Sequence, residues 1–166
     1  LAPLLTAGLT VKKIYETMAI EDIQRTADLL RPIYADTDGK DGYVSIEVSP
    51  ELANDTEGTI AEARRLYGEV DRPNVMIKVP VTSAGIPAIE TLIGEGINVN
   101  VTLIFSMASY EEAAEAYIKG LAAFDRRGGD LRHVASGASF FVGRVVTDVD
   151  RPSDASCPEA RQAENS

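Results

Sequence analysis

The sequence contains no tryptophan, one cysteine (Cys157) and one histidine (His133) in 166 residues. A lone cysteine closes no intramolecular disulfide, and the opening residues do not read as a charged-then-apolar leader with a cleavage site. The cytoplasm is therefore the expected setting. No run of about 18 uncharged apolar residues occurs, so no membrane-spanning helix is expected. Basic side chains are in the minority, 16 against 26 carboxylates, for a net charge of −10. A phosphate backbone is held by a basic face, so nucleic acid is not an expected partner. With one histidine at a helix-to-strand junction and the cysteine in the tail, no metal set or nucleophile–histidine triad can be assembled. Gly128 and Gly129 precede a strand instead of opening a helix, which excludes a nucleotide-type phosphate loop. What is present, 45% hydrophobic and 25% charged residues, suits one soluble globular domain with its own core. The chain begins at Leu1 and not at Met, and so reads as trimmed or as a piece of something longer.

Hydrophobic spacing supplies the element order. Ile14, Met18, Ile23, Ala27 and Leu30 recur at three- and four-residue steps, which predicts one or two helices ended by Pro32. Residues 35–42, Ala-Asp-Thr-Asp-Gly-Lys-Asp-Gly, are turn chemistry, with two glycines for positive φ. Strands are predicted over 43–49, 74–79, 97–105 and 134–145, with helices over 56–70, 86–94 and 110–127. Ser109 with Glu112 reads as a capping box opening the last of these. Strands alternating with helices across short turns imply βαβ units and a parallel sheet, an α/β fold. After Asp150 the composition changes. Residues 151–166 carry no Leu, Ile, Val or aromatic residue, which predicts a disordered tail beyond a folded unit over 1–150.

The strands are not uniformly apolar, as parallel strands covered on both sides would be. Period-two alternation sets Val44, Ile46 and Val48 against Ser45 and Glu47, and Val75, Ile77 and Val79 against Met76 and Lys78. It likewise sets Ile97, Val99, Val101 and Leu103 against Asn98, Asn100 and Thr102, and groups Gly137, Ser139 and Phe141. A parallel barrel explains this pattern: the greasy face meets helices and the polar face points inward. Glu47, Lys78, Asn100, Thr102 and Ser139 lie toward the C-terminal parts of their strands, where barrel enzymes build their sites. Together they form an expected buried, ionisable cluster. Each residue also has a plainer reading. Lys78 is either an edge-strand lysine that discourages aggregation or a nucleophile that attacks a carbonyl to form a Schiff base. Glu47 is its ion-pair partner or an acid–base group working through a water. Asn100 and Thr102 are satisfied core polars or groups that hold substrate hydroxyls and that water. Arg144 is a surface arginine or a phosphate clamp.

Four segments carry a resemblance: Asp-Gly-Tyr-Val-Ser-Ile-Glu-Val-Ser-Pro (41–50), Asn-Val-Met-Ile-Lys-Val-Pro (74–80), Gly-Ile-Asn-Val-Asn-Val-Thr-Leu-Ile-Phe-Ser (96–106) and Ala-Ser-Phe-Phe-Val-Gly-Arg (138–144). In this order and spacing, over about residues 9 to 150, the chain resembles transaldolase. The resemblance implies a partial (β/α)8 TIM barrel holding about four of the eight strands. It implies an enzyme of the pentose phosphate pathway that moves a dihydroxyacetone unit from a ketose phosphate (sedoheptulose 7-phosphate or fructose 6-phosphate) to an aldose phosphate (glyceraldehyde 3-phosphate or erythrose 4-phosphate). No metal or organic cofactor is implied. By motif, Lys78 is similar to the Schiff-base lysine, and Glu47 and Thr102 to the pair holding the catalytic water. Asn100 is similar to a hydrogen-bonding asparagine, Ser139 to a substrate-contacting serine and Arg144 to a phosphate-site arginine. The family's two preceding strands, with an aspartate and an asparagine of the site, have no counterpart here. Neither do its last two strands, and the segment after Arg151 resembles nothing in the family. Two alternatives stay open: a Schiff-base aldolase that releases dihydroxyacetone, and a non-catalytic half-barrel that self-associates through its edges.

Overall fold

The computed structural model describes residue 8 and residues 10–143. Arg144, Cys157 and the tail over 151–166 lie outside the described residues. The elements run α1 (Val11–Asp36), β1 (Val44–Glu47), α2 (Thr56–Val70), β2 (Val75–Pro80), α3 (Gly85–Gly94), β3 (Val99–Ile104), α4 (Met107–Arg126) and β4 (Ser136–Phe140). Short 3-10 turns at Pro50–Leu52 and Leu131–His133 complete the order. All three strand pairings are parallel, in the spatial order β1-β2-β3-β4, as successive βαβ crossovers require. This is the strand-and-helix alternation of a section of a (β/α)8 barrel. Among the described residues no helix is long and apolar enough to cross a membrane.

The greasy strand face is where the core forms. Val48, Val75, Ile77, Val79, Val99, Val101 and Ile104 pack against Ile60, Ala63 and Leu66 of α2, Ala88, Ile89, Leu92 and Ile93 of α3, and Ala113 and Ala116 of α4. Burying each large aliphatic side chain contributes about 1.5–3 kcal/mol, so this face dominates stability. Helices α3 and α4 approach closely because Gly120 has no side chain: a Cβ there would stand 2.7 Å from the Glu90 carbonyl oxygen. Helix α2 is capped by the Asp55 carboxylate, which accepts from the Gly58 N–H.

Several predicted elements change. The strands predicted over 43–49 and 134–145 are shorter, Val44–Glu47 and Ser136–Phe140, and residues 142–143 are helical. Helix α1 is one helix and runs through Pro32 to Asp36. Proline removes a single N–H, and the turn beyond it is held independently: the Thr37 N–H and hydroxyl both donate to the Ile33 carbonyl, at 3.0 and 2.8 Å. Tyr34 also packs edge-on against Tyr43 at 5.3 Å. Helix α4 starts at Met107, and its cap is Ser106, whose Oγ accepts from the Ser109 N–H at 3.1 Å; Ser109 is already inside the helix. In β3, Val101 pairs with Ala138 and Ile104 with Phe140, so Thr102 and Leu103 together face the single Ser139. This β-bulge breaks the alternation. Leu103 takes φ of 59° and is exposed, not part of the greasy face, and Ile104 takes the buried position instead. The turn after α1 has the predicted positive φ at Gly39 and Gly42; a Cβ at Gly42 would meet the Tyr34 backbone nitrogen at 2.6 Å.

Candidate active site

Parallel register puts the polar residues at matched heights. Glu47 pairs with Lys78 and Lys78 with Asn100, so three chemically active side chains stand side by side on adjacent strands. Period-two alternation then places Ser139 one step further along, beyond Gly137, the register partner of Asn100. The Lys78 Nζ lies 3.8 Å from the Glu47 Oε2. Lys78 side-chain exposure is 29% and that of Glu47 is 49%, so the cluster is not buried as expected. The reason is geometric: helices cover one face of the sheet, and among the described residues nothing comparable covers the other.

Asn100 is the hub of a hydrogen-bonded row. Its Oδ1 accepts from the Ser139 hydroxyl at 2.9 Å, and its Nδ2 donates to the Ser45 Oγ at 3.2 Å, two strands away. Of the predicted residues, Lys78, Glu47, Asn100 and Ser139 are thus brought together. Thr102 sits above them, opposite Pro80. It is fully enclosed, and its Oγ1 has no hydrogen-bond partner within the protein. A buried hydroxyl in that state fits a bound water or a ligand oxygen. Arg144 lies outside the described residues.

Asn98 shares the Asn100 alternation but has a structural role. It is buried, donates to the Pro73 and Val75 carbonyls, each at 3.2 Å, and accepts from the Ala135 N–H at 2.9 Å. His133 is a surface residue 3.5 Å from the Asp130 carboxylate. Arg132 holds that carboxyl down at about 2. No group of three or more His, Cys, Asp or Glu residues able to hold a metal ion occurs among the described residues.

A cleft of about 430 Å³ lies between α1 and β1, lined by Tyr15, Glu16, Ile46, Val48 and Leu66 among others. Its walls come from the start of α1, the end of β1 with the turn after it, and α2. Of the candidate site residues Glu47 lines it, and Lys78, Asn100 and Ser139 do not. Sequence reasoning did not single out Ser45. Its place on the polar face was legible from alternation with Glu47, but its reach across β2 to Asn100 depends on a register and a side-chain length that no spacing displays.

Residues 1–165 match the family model described as Transaldolase/Fructose-6-phosphate aldolase. The chain is 54% identical over 151 residues to Transaldolase 1 of Streptomyces avermitilis, covering 91% of this chain and 40% of that protein. It is 52% identical over 149 residues to Transaldolase 2 of a Nostoc species, covering 90% of this chain and 39% of that one. Against Transaldolase of Thermobifida fusca it is 50% identical over 151 residues, or 91% and 41%. The chain therefore spans about 40% of the length of the curated relatives it matches.

Proposed function

The chain belongs to the transaldolase/fructose-6-phosphate aldolase family, and on that premise we propose that Lys78 is its Schiff-base nucleophile in dihydroxyacetone transfer between sugar phosphates. The observation that carries the reading is the row on the polar face: Lys78 with Glu47 at 3.8 Å on one side and the Asn100–Ser139 pair on the other. In the first step the unprotonated Lys78 amine adds to the C2 carbonyl of the ketose phosphate, and loss of water gives an iminium. The C4 hydroxyl then gives up its proton to water, the C3–C4 electron pair moves into the iminium, and an aldose phosphate departs; a proton returns from water to the acceptor's carbonyl oxygen when the new C–C bond forms. The enamine that remains adds to the carbonyl carbon of the acceptor aldose, and water releases the new ketose and the free lysine. Glu47, with a water held by the orphan hydroxyl of Thr102, moves the protons of imine formation and hydrolysis. Asn100 and Ser139 hold substrate hydroxyls, and Arg144 takes the phosphate. No metal or organic cofactor enters these steps.

We place this activity in the pentose phosphate pathway and in the cytoplasm, the latter because the chain carries a single cysteine. Self-association through the outer sides of β1 and β4 is part of the same proposal, since neither has a strand neighbour there among the described residues. Product analysis with fructose 6-phosphate tests the reaction type. Sedoheptulose 7-phosphate formed only when erythrose 4-phosphate is supplied supports transfer. Free dihydroxyacetone released equally with and without that acceptor identifies an aldolase instead.

A further inference from the structure

We propose that Ser45 is a positioning residue for the Schiff-base site, holding the Asn100 amide in the orientation that meets a ketose hydroxyl beside Lys78. The inference rests on the proposed function and assigns a role to a residue outside the six site residues named above.

Few contacts hold the Asn100 side chain. It lies on the half-exposed polar face, on the strand next to β2 and at the height of Lys78. An asparagine amide in such a place turns about its last side-chain torsion over a broad range. Here the amide has two partners: the Ser139 hydroxyl donates to Oδ1 at 2.9 Å, and Nδ2 donates to the Ser45 Oγ at 3.2 Å. One partner lies on β4 and the other on β1, so the amide plane is stretched between two strands that are not neighbours. Held at both ends, the plane is fixed; held at one end, it swings.

The fixed plane decides what a ligand meets. Asn100 keeps one N–H and one oxygen lone pair unused by these bonds, both beside the register position of Lys78. Ser139 has spent its proton on Asn100, so its Oγ accepts from a ligand hydroxyl. Ser45 accepts from Asn100, so its own proton is free to be donated. The row therefore offers acceptors toward its β4 end and donors toward its β1 end. That suits a polyhydroxy ketone bound through its carbonyl carbon to Lys78, and suits a simple ketone without hydroxyls poorly. Ser45 itself is two residues before Glu47 on the same strand face, too far down the strand to be the reacting group.

The test compares the 166-residue chain with Ser45→Ala and Ser45→Thr. The first readout needs no activity: the side-chain amide signals of Asn100 in a nitrogen-15 spectrum, identified by their loss in Asn100→Asp. In Ser45→Ala the Asn100 pair shifts and its hydrogens exchange several-fold faster, while the signals of Asn74 and Asn98 stay in place. Ser45→Thr, which keeps the hydroxyl, restores the original position. The second readout is the concentration of fructose 6-phosphate that half-saturates borohydride-trapped adduct. It rises about three- to ten-fold in Ser45→Ala, the size expected for one lost hydrogen bond, and returns in Ser45→Thr. Adduct formed at saturation changes less than about twofold, because the nucleophile is intact. Asn100 signals that do not move in Ser45→Ala overturn the proposal, and so does an unchanged half-saturation. A parent chain that forms no adduct at all contradicts the Schiff-base reading, and the amide signals then decide the Ser45–Asn100 link separately.

Discussion

Lys78 and Glu47 meet at 3.8 Å with both side chains partly in solvent, a geometry that contributes at most about 1 kcal/mol to stability. That weakness separates chemistry from folding. Lys78→Arg keeps the charge and removes the nucleophilic amine, so it should abolish adduct formation while unfolding within about 0.5 kcal/mol of the parent in urea. Asn98 makes the opposite case. Asn98→Ala leaves the Ala135 N–H and two carbonyls without their partner inside the protein, and should cost about 2–3 kcal/mol in the same measurement without altering which lysine is labelled. Both asparagines lie on the polar side of one period-two pattern. Their roles diverge because Asn98 precedes the strand, among buried carbonyls, and Asn100 stands level with Lys78. Alternation shows a face; only register shows height, and sequence spacing carries little of it. Tyr43 adds a titration. Burial first, and then the phenol of Tyr34, push its pKa up to about 12. The fold thus favours the neutral phenol, whose hydroxyl donates to the Gly39 carbonyl at 2.8 Å. Its stabilising contribution is complete below the ordinary phenol value near pH 10 and is lost as pH rises from there through 12. An alkaline titration of tyrosinate absorbance should show a late step that Tyr43→Phe removes.

At the scale of elements, strand and helix order was legible because periodicity switches cleanly between two and 3.6. The range over 56–70 and the βαβ alternation needed nothing more. Boundaries were less legible where one local rule competed with another. Pro32 ends a helix only when nothing beyond it holds the next turn, and Thr37 does hold it. Ser106 and Ser109 both suit a cap; Ser106 wins because its backbone is extended, with φ of −144°. The bulge at Thr102 and Leu103 left no mark in the pattern, because Thr-Leu-Ile reads as plain strand. Its backbone makes a prediction. Leucine at φ of 59° is strained by about 1–2 kcal/mol, and a β-branched residue there is strained more. Leu103→Gly should therefore change stability by less than about 1 kcal/mol, the relief of strain offsetting the lost side chain and added chain entropy. Leu103→Val should destabilise by about 1–2 kcal/mol relative to the glycine variant. Equal stabilities for the two in denaturant would mean that the bulge carries no strain.

For the molecule as a whole, one face of the sheet is built and, among the described residues, the other is open. Among the described residues twenty-two hydrophobic side chains are buried, and those of the strands lie mostly against α2, α3 and α4. The polar face, with its lysine, is half in water. That Lys78, Glu47, Asn100 and Ser139 share this face was legible from alternation; its openness was not, because burial of a strand face depends on what stands opposite. An open site keeps bulk water beside the iminium, which weakens electrostatic stabilisation and speeds hydrolysis. The isolated 166-residue chain should consequently transfer dihydroxyacetone far more slowly than a family member of full length, in a coupled assay at equal protein concentration. Its native mass should exceed that of a monomer, since β1 and β4 present unpaired backbone on their outer sides among the described residues. Covalent trapping reads the role of Lys78 directly. Treated with fructose 6-phosphate and borohydride, then digested and mapped by mass spectrometry, the chain should carry a reduced three-carbon adduct on Lys78 and on none of its other four lysines. An adduct on Lys12, Lys13, Lys40 or Lys119 with Lys78 unmodified would contradict the account.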